Sequence, residues 1–409
     1  MLSLLVARTR RLDRAEDALS EAFARAAERW RVDGVPTNPV GWLYRTAYRQ
    51  IVGWLRSEAI AARKAPLLTV RAEVIMPENS LDDLPDERLQ LILLCCHPAL
   101  SPTSRSALAL RLVLGTRTDE IARLFLVAPT AMAARLTRAK KKIVHAGIPL
   151  ATPAEDELRA RLDEVCRTIY LAFTAGYTPA AGPQLLRADL AGEALRLAAV
   201  LRELVPEAPQ VEALLALLLL QHSRRDARQR DGALVTLAEQ DRTLWHHDEI
   251  HAGLSLLVQL PAASGYAEEL RLQALIAAEH VRAPTASATD WAAIASRYAQ
   301  LEALTGSPIV RLNRAVAVAE VEGPEAGLAA LAPLVRDFPA HHRLEAVRAE
   351  LARRAGDTDL ARGCYGRAVA LCDNEVERRH LRARLASLDA PESIADPEAA
   401  DRTSGAPLS

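Results

Sequence analysis

Residues 115–146 read GTRTDEIARLFLVAPTAMAARLTRAKKKIVHA, and this stretch decides how the rest of the chain is interpreted. Its pattern predicts a short helix over 118–125, a corner at 126–128 and a longer helix over 129–145. Pro129 suits a helix start, because proline lacks the amide hydrogen that a first helical residue leaves unpaired. A basic helix behind a short helix and a tight corner is the arrangement that enters the major groove of DNA.

The longer helix has an apolar stripe and a basic flank. The stripe consists of residues spaced four, three and four apart, namely Met132, Leu136, Ala139 and Ile143. The candidate DNA contacts are Thr130, Ala131, Ala134, Arg135, Arg138, Lys140, Lys141 and Lys142. We expect the two arginines to reach base edges and the lysines to contact phosphates. Basic helix faces are also common on helices that face only solvent, so both interpretations stay open at this point.

The composition favours helix throughout, and the charge is unevenly distributed. Hydrophobic residues make up 50% of the 409 residues and aromatic residues 4%. Residues 1–150 contain 23 basic and 15 acidic side chains, a net charge of +8, whereas the remainder contains 28 and 37, a net charge of −9. A basic head on an acidic body is expected where only the head meets a polyanion. The sequence therefore predicts an all-α fold.

Cysteine content and hydropathy indicate a cytoplasmic protein without a membrane partner. Five cysteines in a chain of this length do not make a disulfide framework, which favours a reducing compartment. The longest apolar run, residues 213–220, is far shorter than a membrane span.

Residues 1–63 contain two further helical patterns. In the first, positions 15, 18, 19, 22, 23, 26 and 30 form an apolar face, and Asp13, Asp17 and Glu21 gather on another face. The second begins near Pro39 and mixes aromatic residues with arginines, a combination that suits unstacked bases and phosphates. Its relevant side chains are Trp42, Tyr44, Tyr48, Trp54, Arg45, Arg49 and Arg56. Buried aromatics beside solvated arginines are the ordinary alternative.

Three blocks taken together resemble the bacterial extracytoplasmic-function (ECF) sigma factors. They are DRAEDALSEAFARAAERW (13–30), NPVGWLYRTAYRQIVGWLRSE (38–58) and EIARLFLVAPTAMAARLTRAKKKI (120–143). The resemblance covers about residues 5–147. Its first sigma-2 helix is short, and Ser20, Gly53, Ala128 and Ala133 depart from the usual pattern, which affects promoter contacts more than the fold.

The resemblance implies a role for each block. The first would dock on core RNA polymerase through Asp13, Asp17 and Glu21. The third would read the −35 promoter element with the helix-turn-helix. The second would grip and melt the −10 element through Asn38, Trp42, Arg45, Tyr48, Arg49 and Arg56.

The remaining residues predict a long helical extension. Gly323 and Gly356 lie 33 residues apart in similar small-residue helix pairs, a period that resembles tetratricopeptide (TPR) repeats. Such repeats stack into a superhelix with a concave surface for a protein or peptide partner. This layout is similar to an ECF subgroup in which the extension is thought to control the sigma factor.

The predicted domain order follows from these patterns. It is a sigma-2-like domain at 1–63 (N-terminally short), a linker at 64–84, a sigma-4-like domain at 85–147, a linker at 148–156, a TPR-like domain at 157–388 and a disordered tail at 389–409.

Two other functions compete with this interpretation. One is a TPR-containing helix-turn-helix regulator that binds DNA without polymerase. The other is a metallohydrolase centred on WHHDEIH (245–251), where His247 and His251 approach the H-E-x-x-H pattern without an evident third ligand. Cys95, Cys96 and His97 lack the C-x2-C spacing of zinc sites. Because phosphate-loop and nucleophile motifs are missing too, we expect neither an enzyme nor a metal or cofactor site.

Overall fold

A computed structural model describes most of the chain. The described residues are 1–9, 11–64, 87–125, 127–146, 155–177, 188–231, 233–337 and 341–388. Within them the chain forms eighteen α-helices, so the all-α prediction is confirmed. The chain divides between Gly306 and Ser307 into two compact units. The predicted linkers and tail lie almost wholly outside the described residues, and the predicted domain limits remain predictions.

Three helices begin the first unit: α1 (Leu2–Thr9), α2 (Leu12–Asp33) and α3 (Pro39–Lys64). Small side chains on α2 are fully buried, including Ala15, Ala18 and Ala22, and they let α2 pack against α3. The prediction that Phe23 shares this buried face is wrong, because its side chain is 53% exposed. Phe23 follows Ala22 by one residue, so its ring lies at the edge of the α2–α3 contact that the alanines make, where it remains exposed.

Four helices form the next part: α4 (Glu87–Cys95), α5 (Pro102–Leu112), α6 (Thr118–Leu124) and α7 (Pro129–His145). The predicted helix-corner-helix is confirmed, with the shorter helix ending at Leu124. The carboxylate of Glu120 accepts a hydrogen bond of 3.1 Å from the backbone N–H of Arg117, which closes the start of α6. Both α5 and α6 pack against α7.

The chain continues with α8 (Glu155–Tyr177), α9 (Ala188–Leu204) and α10 (Pro209–His222). Helix α10 ends at His222, six residues before the end of the segment VEALLALLLLQHSRRDAR (211–228), whose sequence predicts a helix throughout. The hydroxyl of Ser223 donates to the carbonyl of Leu220 at 2.9 Å, and Arg225 turns back onto the carbonyl of His222 at 3.1 Å. Side chains that bond the last carbonyls compete with further helix.

A short irregular segment follows α10. It contains 3₁₀ turns and one antiparallel pair of two-residue strands, β1 (Gln229–Arg230) and β2 (Ala233–Leu234). Helices α11 (His247–Gln259), α12 (Gly265–Arg282) and α13 (Trp291–Thr305) complete the unit. One apolar core runs continuously from Leu5 in α1 to Ala278 in α12. The segments predicted to be sigma-2-like and sigma-4-like therefore share a core with α8, α9 and α10.

Within its described residues, the second unit contains five successive helices. They are α14 (Pro308–Glu322), α15 (Pro324–Asp337), α16 (His342–Arg354), α17 (Thr358–Leu371) and α18 (Glu375–Ser387). Gly323 and Gly356 occupy the turns after α14 and α16 with φ of 99° and 81°, conformations that favour glycine. Each helix packs on the next, and α14 also contacts α16. The TPR resemblance itself remains a prediction.

None of the helices in the described ranges combines the length and apolar character needed to cross a bilayer.

Candidate nucleic-acid interface

Helix α7 is held by the stripe that its spacing predicted. Met132, Leu136, Ala139 and Ile143 are each at most 4% exposed. The corner before α7 is fixed by the backbone N–H of Val127, which donates to the carbonyl of Ala122 at 2.9 Å. The opposite face of α7 is thereby presented outward on a supported helix.

The predicted contact residues of α7 lie on this outward surface. Thr130, Ala131, Ala134, Arg138, Lys141 and Lys142 are exposed, and Arg135 and Lys140 are partly exposed. The seventeen residues of α7 give a helix about 25 Å long, comparable with the reach of a recognition helix along a groove. The Nε of Arg138 donates to the carbonyl of Ala134 at 3.3 Å, so this guanidinium lies along its own helix.

Lys140 differs from the neighbouring lysines. Its Nζ donates to the carboxylate of Glu16 on α2 at 2.7 Å, and both side chains are less than a third exposed. No local sequence pattern predicts the role of Glu16, because its partner is 124 residues away along the chain. In this arrangement Lys140, which was expected to contact a DNA phosphate, is paired with the Glu16 carboxylate instead.

Four of the six predicted −10 residues share one face of α3. Trp42, Arg45, Arg49 and Arg56 follow one another at intervals of three, four and seven residues, which places them in a row along a helix. Tyr48 lies beside this row and stacks on Tyr44, with ring centroids 6.0 Å apart.

Asn38 also has a structural task at the start of α3. Its Oδ1 accepts a hydrogen bond of 2.7 Å from the backbone N–H of Gly41, as an N-cap does. A Cβ atom on Gly41 would lie 2.8 Å from the Asn38 amide nitrogen, so glycine leaves room for the cap. The amide is thus engaged with the backbone at the position where a base contact was expected.

Two arginines that sequence reasoning missed complete this face. Arg25 and Arg29 of α2 line a cleft of about 630 Å³ together with Trp42, Thr46, Arg49 and Gln50 of α3. The indole of Trp42 meets Trp30 edge-on, with centroids 5.6 Å apart. The i, i+4 spacing of Arg25 and Arg29 beside the buried alanines could have predicted that both arginines lie on one side of α2. The cleft combines an aromatic ring with three guanidinium groups.

The predicted polymerase contacts on α2 are not equivalent. Asp17 and Glu21 are exposed, and Glu21 pairs with Arg25 at 3.1 Å. Asp13 instead binds the guanidinium of Arg11 at 3.2 Å, and Arg11 also binds Glu58 on α3 at 3.0 Å. Burial raises the pKa of Asp13, but hydrogen bonds from the Arg11 side chain and the Arg14 backbone outweigh it and lower that pKa overall. Asp13 therefore helps to join α2 to α3.

The histidine motif at 245–251 is used differently from a metal site. His247 and His251 lie on the first turns of α11, while Glu249 points to α10. The Glu249 carboxylate accepts a hydrogen bond of 2.9 Å from Arg225 and lies 3.0 Å from the Nδ1 of His222. In the part of the chain that the structure describes, no metal-sized group of three ligating side chains includes His247 or His251.

The adjacent cysteines Cys95 and Cys96 are buried, as is Cys166. The Sγ of Cys96 lies 3.6 Å from the hydroxyl of Thr168 on α8. Burial raises the pKa of the Cys96 thiol to about 12, which disfavours the thiolate form that metals bind. These thiols act as packing groups between α4 and α8.

Comparison with known proteins assigns parts of the chain. The model of sigma-70 region 4 matches residues 90–143, and a family of unknown function, DUF6596, matches residues 161–260. An uncharacterized protein of Rhizobium meliloti (strain 1021), R00370, is 38% identical over 407 residues, which cover 95% of this chain and 93% of the relative.

The chain belongs to the family of this Rhizobium protein and carries a sigma-70 region 4 domain. No solved structure matches it. The region 4 match contains α5, α6, almost all of α7 and all eight candidate contacts between Thr130 and Lys142. It gives the chain a sigma-factor-like DNA-binding role. The candidate residues on α2 and α3 lie outside both matches, so their roles remain predictions.

The region 4 domain is joined to the DUF6596 segment by side-chain contacts. Arg105 on α5 lies 3.6 Å from Glu164 on α8, and Cys96 meets Thr168 on the same helix. Just before the region 4 match, Arg88 pairs with Glu193 on α9 at 2.6 Å. The two matched segments are therefore packed together rather than connected only by chain.

Proposed function

We propose that this protein is an ECF-type sigma factor that binds core RNA polymerase and directs promoter recognition and transcription initiation. The observation that carries the proposal is the combination of a region 4 helix-turn-helix with a second, aromatic and basic face on α3. A DNA-binding regulator needs only the first of these. A sigma factor also needs a surface for unpaired bases.

The two faces suit different tasks. Arg135 and Arg138 on α7 would read base edges of the −35 element, and Lys141 and Lys142 would contact phosphates. The cleft between α2 and α3 would take a base from the melted −10 strand, with Trp42 as the stacking surface and Arg25, Arg29 and Arg49 close to the backbone. Its volume of about 630 Å³ falls in the range of sites that enclose small molecules.

Control by the C-terminal extension is part of the proposal. Helices α8 and α9 pack on α4 and α5, and the Glu16–Lys140 pair connects α2 to the recognition helix. Because the extension shares a core with region 4, a movement of the extension would change the position of region 4. We propose that a protein or peptide partner of the TPR-like helices in this cytoplasmic protein acts through such a movement.

Polymerase binding separates this function from that of a free-standing regulator. The test uses the full chain and a double variant, Asp17→Lys with Glu21→Lys, in co-purification with core RNA polymerase and run-off transcription. Asp13 is left unchanged because it joins α2 to α3. We expect the variant to lose polymerase binding and transcription while it keeps binding to duplex DNA.

A matched control makes the same charge change elsewhere. Glu157 and Asp359 are 60% and 99% exposed, and the variant Glu157→Lys with Asp359→Lys should behave as the unmodified chain. Wild-type protein that binds duplex DNA but never polymerase would support the helix-turn-helix regulator instead. Full polymerase binding by the α2 double variant would remove α2 as the docking surface.

A further inference from the structure

Three chemically different metal-ligating side chains meet in the second unit. His342 begins α16, Cys372 follows the last residue of α17, and Glu377 lies in the first turn of α18. The Nε2 of His342 is 3.5 Å from a Glu377 carboxylate oxygen, and the Sγ of Cys372 is 3.9 Å from that oxygen. All three ligand atoms lie within 4.8 Å of one another.

These separations are close to those around a tetrahedral zinc ion. Bond lengths of about 2.0–2.1 Å to nitrogen and oxygen and about 2.3 Å to sulfur place neighbouring ligand atoms roughly 3.3–3.7 Å apart. The separations of 3.5 and 3.9 Å differ from this range by a few tenths of an ångström at most, and the Nε2 of His342 and the Sγ of Cys372 lie within 4.8 Å of each other. Bonding of all three atoms to one ion therefore requires side-chain rotations that bring the His342 ring and the Cys372 thiol closer together.

The cluster also contains an unused ligand atom. The Nε2 of His342 is buried and makes no hydrogen bond to any described residue. Burying a ring nitrogen without a partner costs free energy, which a bound cation would recover. This nitrogen lies 3.5 Å from the Glu377 carboxylate, so the ring atom without a hydrogen bond faces the same cluster.

The segment between two of the ligands is already rigid. Asn374 is 2% exposed, and its Oδ1 accepts hydrogen bonds of 3.0 Å from the backbone N–H groups of Val376 and Glu377. This cap fixes the turn that brings Cys372 and Glu377 together. Site geometry held by surrounding hydrogen bonds is typical of metal-binding positions.

We propose that His342, Cys372 and Glu377 form a zinc site with one open coordination position. A thiolate, an imidazole and a carboxylate together suit zinc better than magnesium or calcium, which prefer oxygen ligands alone. Three protein ligands leave the fourth position of a tetrahedron to water or to an incoming ligand. The proposal is independent of the sigma-factor function and departs from the expectation of no metal site.

Zinc at this point would connect three helices. Its ligands come from α16, α17 and α18, so binding would add to the free energy of unfolding of the second unit. The thiol proton of Cys372 would pass to solvent when the thiolate bonds to the ion.

The test uses the full chain after dialysis against a chelator. Co²⁺ is titrated first, because a cobalt–thiolate bond produces a charge-transfer absorption band, and Zn²⁺ then displaces it. We expect one equivalent of metal, a thiolate band and a higher melting temperature with Zn²⁺. The variant Cys372→Ser should lose the band, and His342→Gln and Glu377→Gln should each weaken binding by about tenfold or more.

Cys364→Ser is the matched control, because Cys364 is another buried cysteine on α17 and should leave the band unchanged. Circular dichroism of each variant checks that it is folded. If Cys372→Ser does not fold, His342→Gln provides the test, because it changes a side chain that is only partly buried. Absence of a thiolate band in the wild-type chain would overturn the proposal. An unchanged band in Cys372→Ser would overturn it as well, since the thiolate would then belong to another cysteine.

Discussion

Several predicted contact residues already make hydrogen bonds within the folded chain. Asn38 caps α3, Arg138 bonds a carbonyl of its own helix, and Lys140 is held by Glu16. In the absence of DNA, these intramolecular hydrogen bonds satisfy part of the hydrogen-bonding capacity of the polar side chains. Each has to be exchanged for a contact to nucleic acid, which reduces the net gain of binding.

Arg138→Ala tests base reading by α7. Because the guanidinium is exposed and its bond to Ala134 is long, we expect it to swing out to a base, where a bidentate contact gives about 1–3 kcal/mol of discrimination. The variant should lose that much discrimination between a duplex selected by the full chain and a scrambled one. Fluorescence anisotropy measures both affinities. Arg202→Ala, at an exposed arginine on α9, is the control, and equal losses in both variants would contradict the assignment.

Glu350 makes the second unit sensitive to acid. Burial raises the pKa of Glu350, but hydrogen bonds from Arg353, Tyr365 and Arg384 outweigh it and lower the pKa from 4.5 to about 2. The lowered pKa means that the carboxylate stabilises the fold fully above pH 4.5 and progressively less as pH falls towards 2.

Glu350→Gln should therefore reduce the free energy of unfolding by about 1–3 kcal/mol at pH 6, and the difference from wild type should shrink towards pH 2. Urea unfolding followed by circular dichroism across this pH range measures it. Glu325→Gln, at an exposed glutamate on α15, should remain close to wild type throughout. A constant difference for Glu350→Gln at all pH values would mean that the pKa is not lowered.

At the scale of helices, periodicity predicted most of what the structure contains. The boundaries of α7 and the start of α3 follow from spacing and proline positions. The end of α10 did not, because Arg225 is drawn back by Glu249, 24 residues further along the chain. The pairing of Lys140 with Glu16 was missed for the same reason, because 124 residues separate the two side chains. Tertiary partners distant in sequence leave no local pattern.

Gly327 shows how closely the helices of the second unit approach. A Cβ atom at this position of α15 would lie 2.6 Å from the Cβ of Ala319 and 2.9 Å from the carbonyl oxygen of Ala315. Gly327→Ala should therefore lower the free energy of unfolding by about 1–3 kcal/mol through overpacking.

Gly366→Ala is the matched substitution, because Gly366 lies within α17 and no atom would approach its Cβ within 4 Å. Here alanine should stabilise the helix by about 0.5–1 kcal/mol. Thermal unfolding of both variants measures the contrast. Equal effects at the two positions would show that α14 and α15 are less tightly packed than described.

At the scale of the first unit, one core holds segments that the sequence assigned to separate domains. Local patterns identified the helices of 1–63 and 85–147 but not their contact through Glu16 and Lys140. The same holds for the cleft that Arg25 and Arg29 share with α3. Arg25 and Arg29 can be recognised as cleft residues only once the packing of α2 against α3 is known.

Glu16→Ala tests whether this arrangement restrains the recognition helix. Removing the carboxylate should release Lys140 to a phosphate, so the slope of log affinity against log salt should become steeper by about 0.9. Phosphate contacts do not depend on sequence, so any duplex serves. Glu28→Ala removes the same charge from α2 without touching Lys140 and is the control. An unchanged slope in Glu16→Ala would show that the pair does not limit DNA binding.

The contact of region 4 with α8 and α9 also has a consequence for inheritance. Buried residues of α4 and α5 face α8 and α9 of the same polypeptide, where a region 4 domain without such neighbours needs a surface that tolerates water. Replacing region 4 with that of another lineage would disrupt this contact, because Cys96 could be exposed and Arg105 could lose its partner Glu164. Recombination should therefore transmit these two segments as one block, and substitutions on either side of the contact should accumulate together.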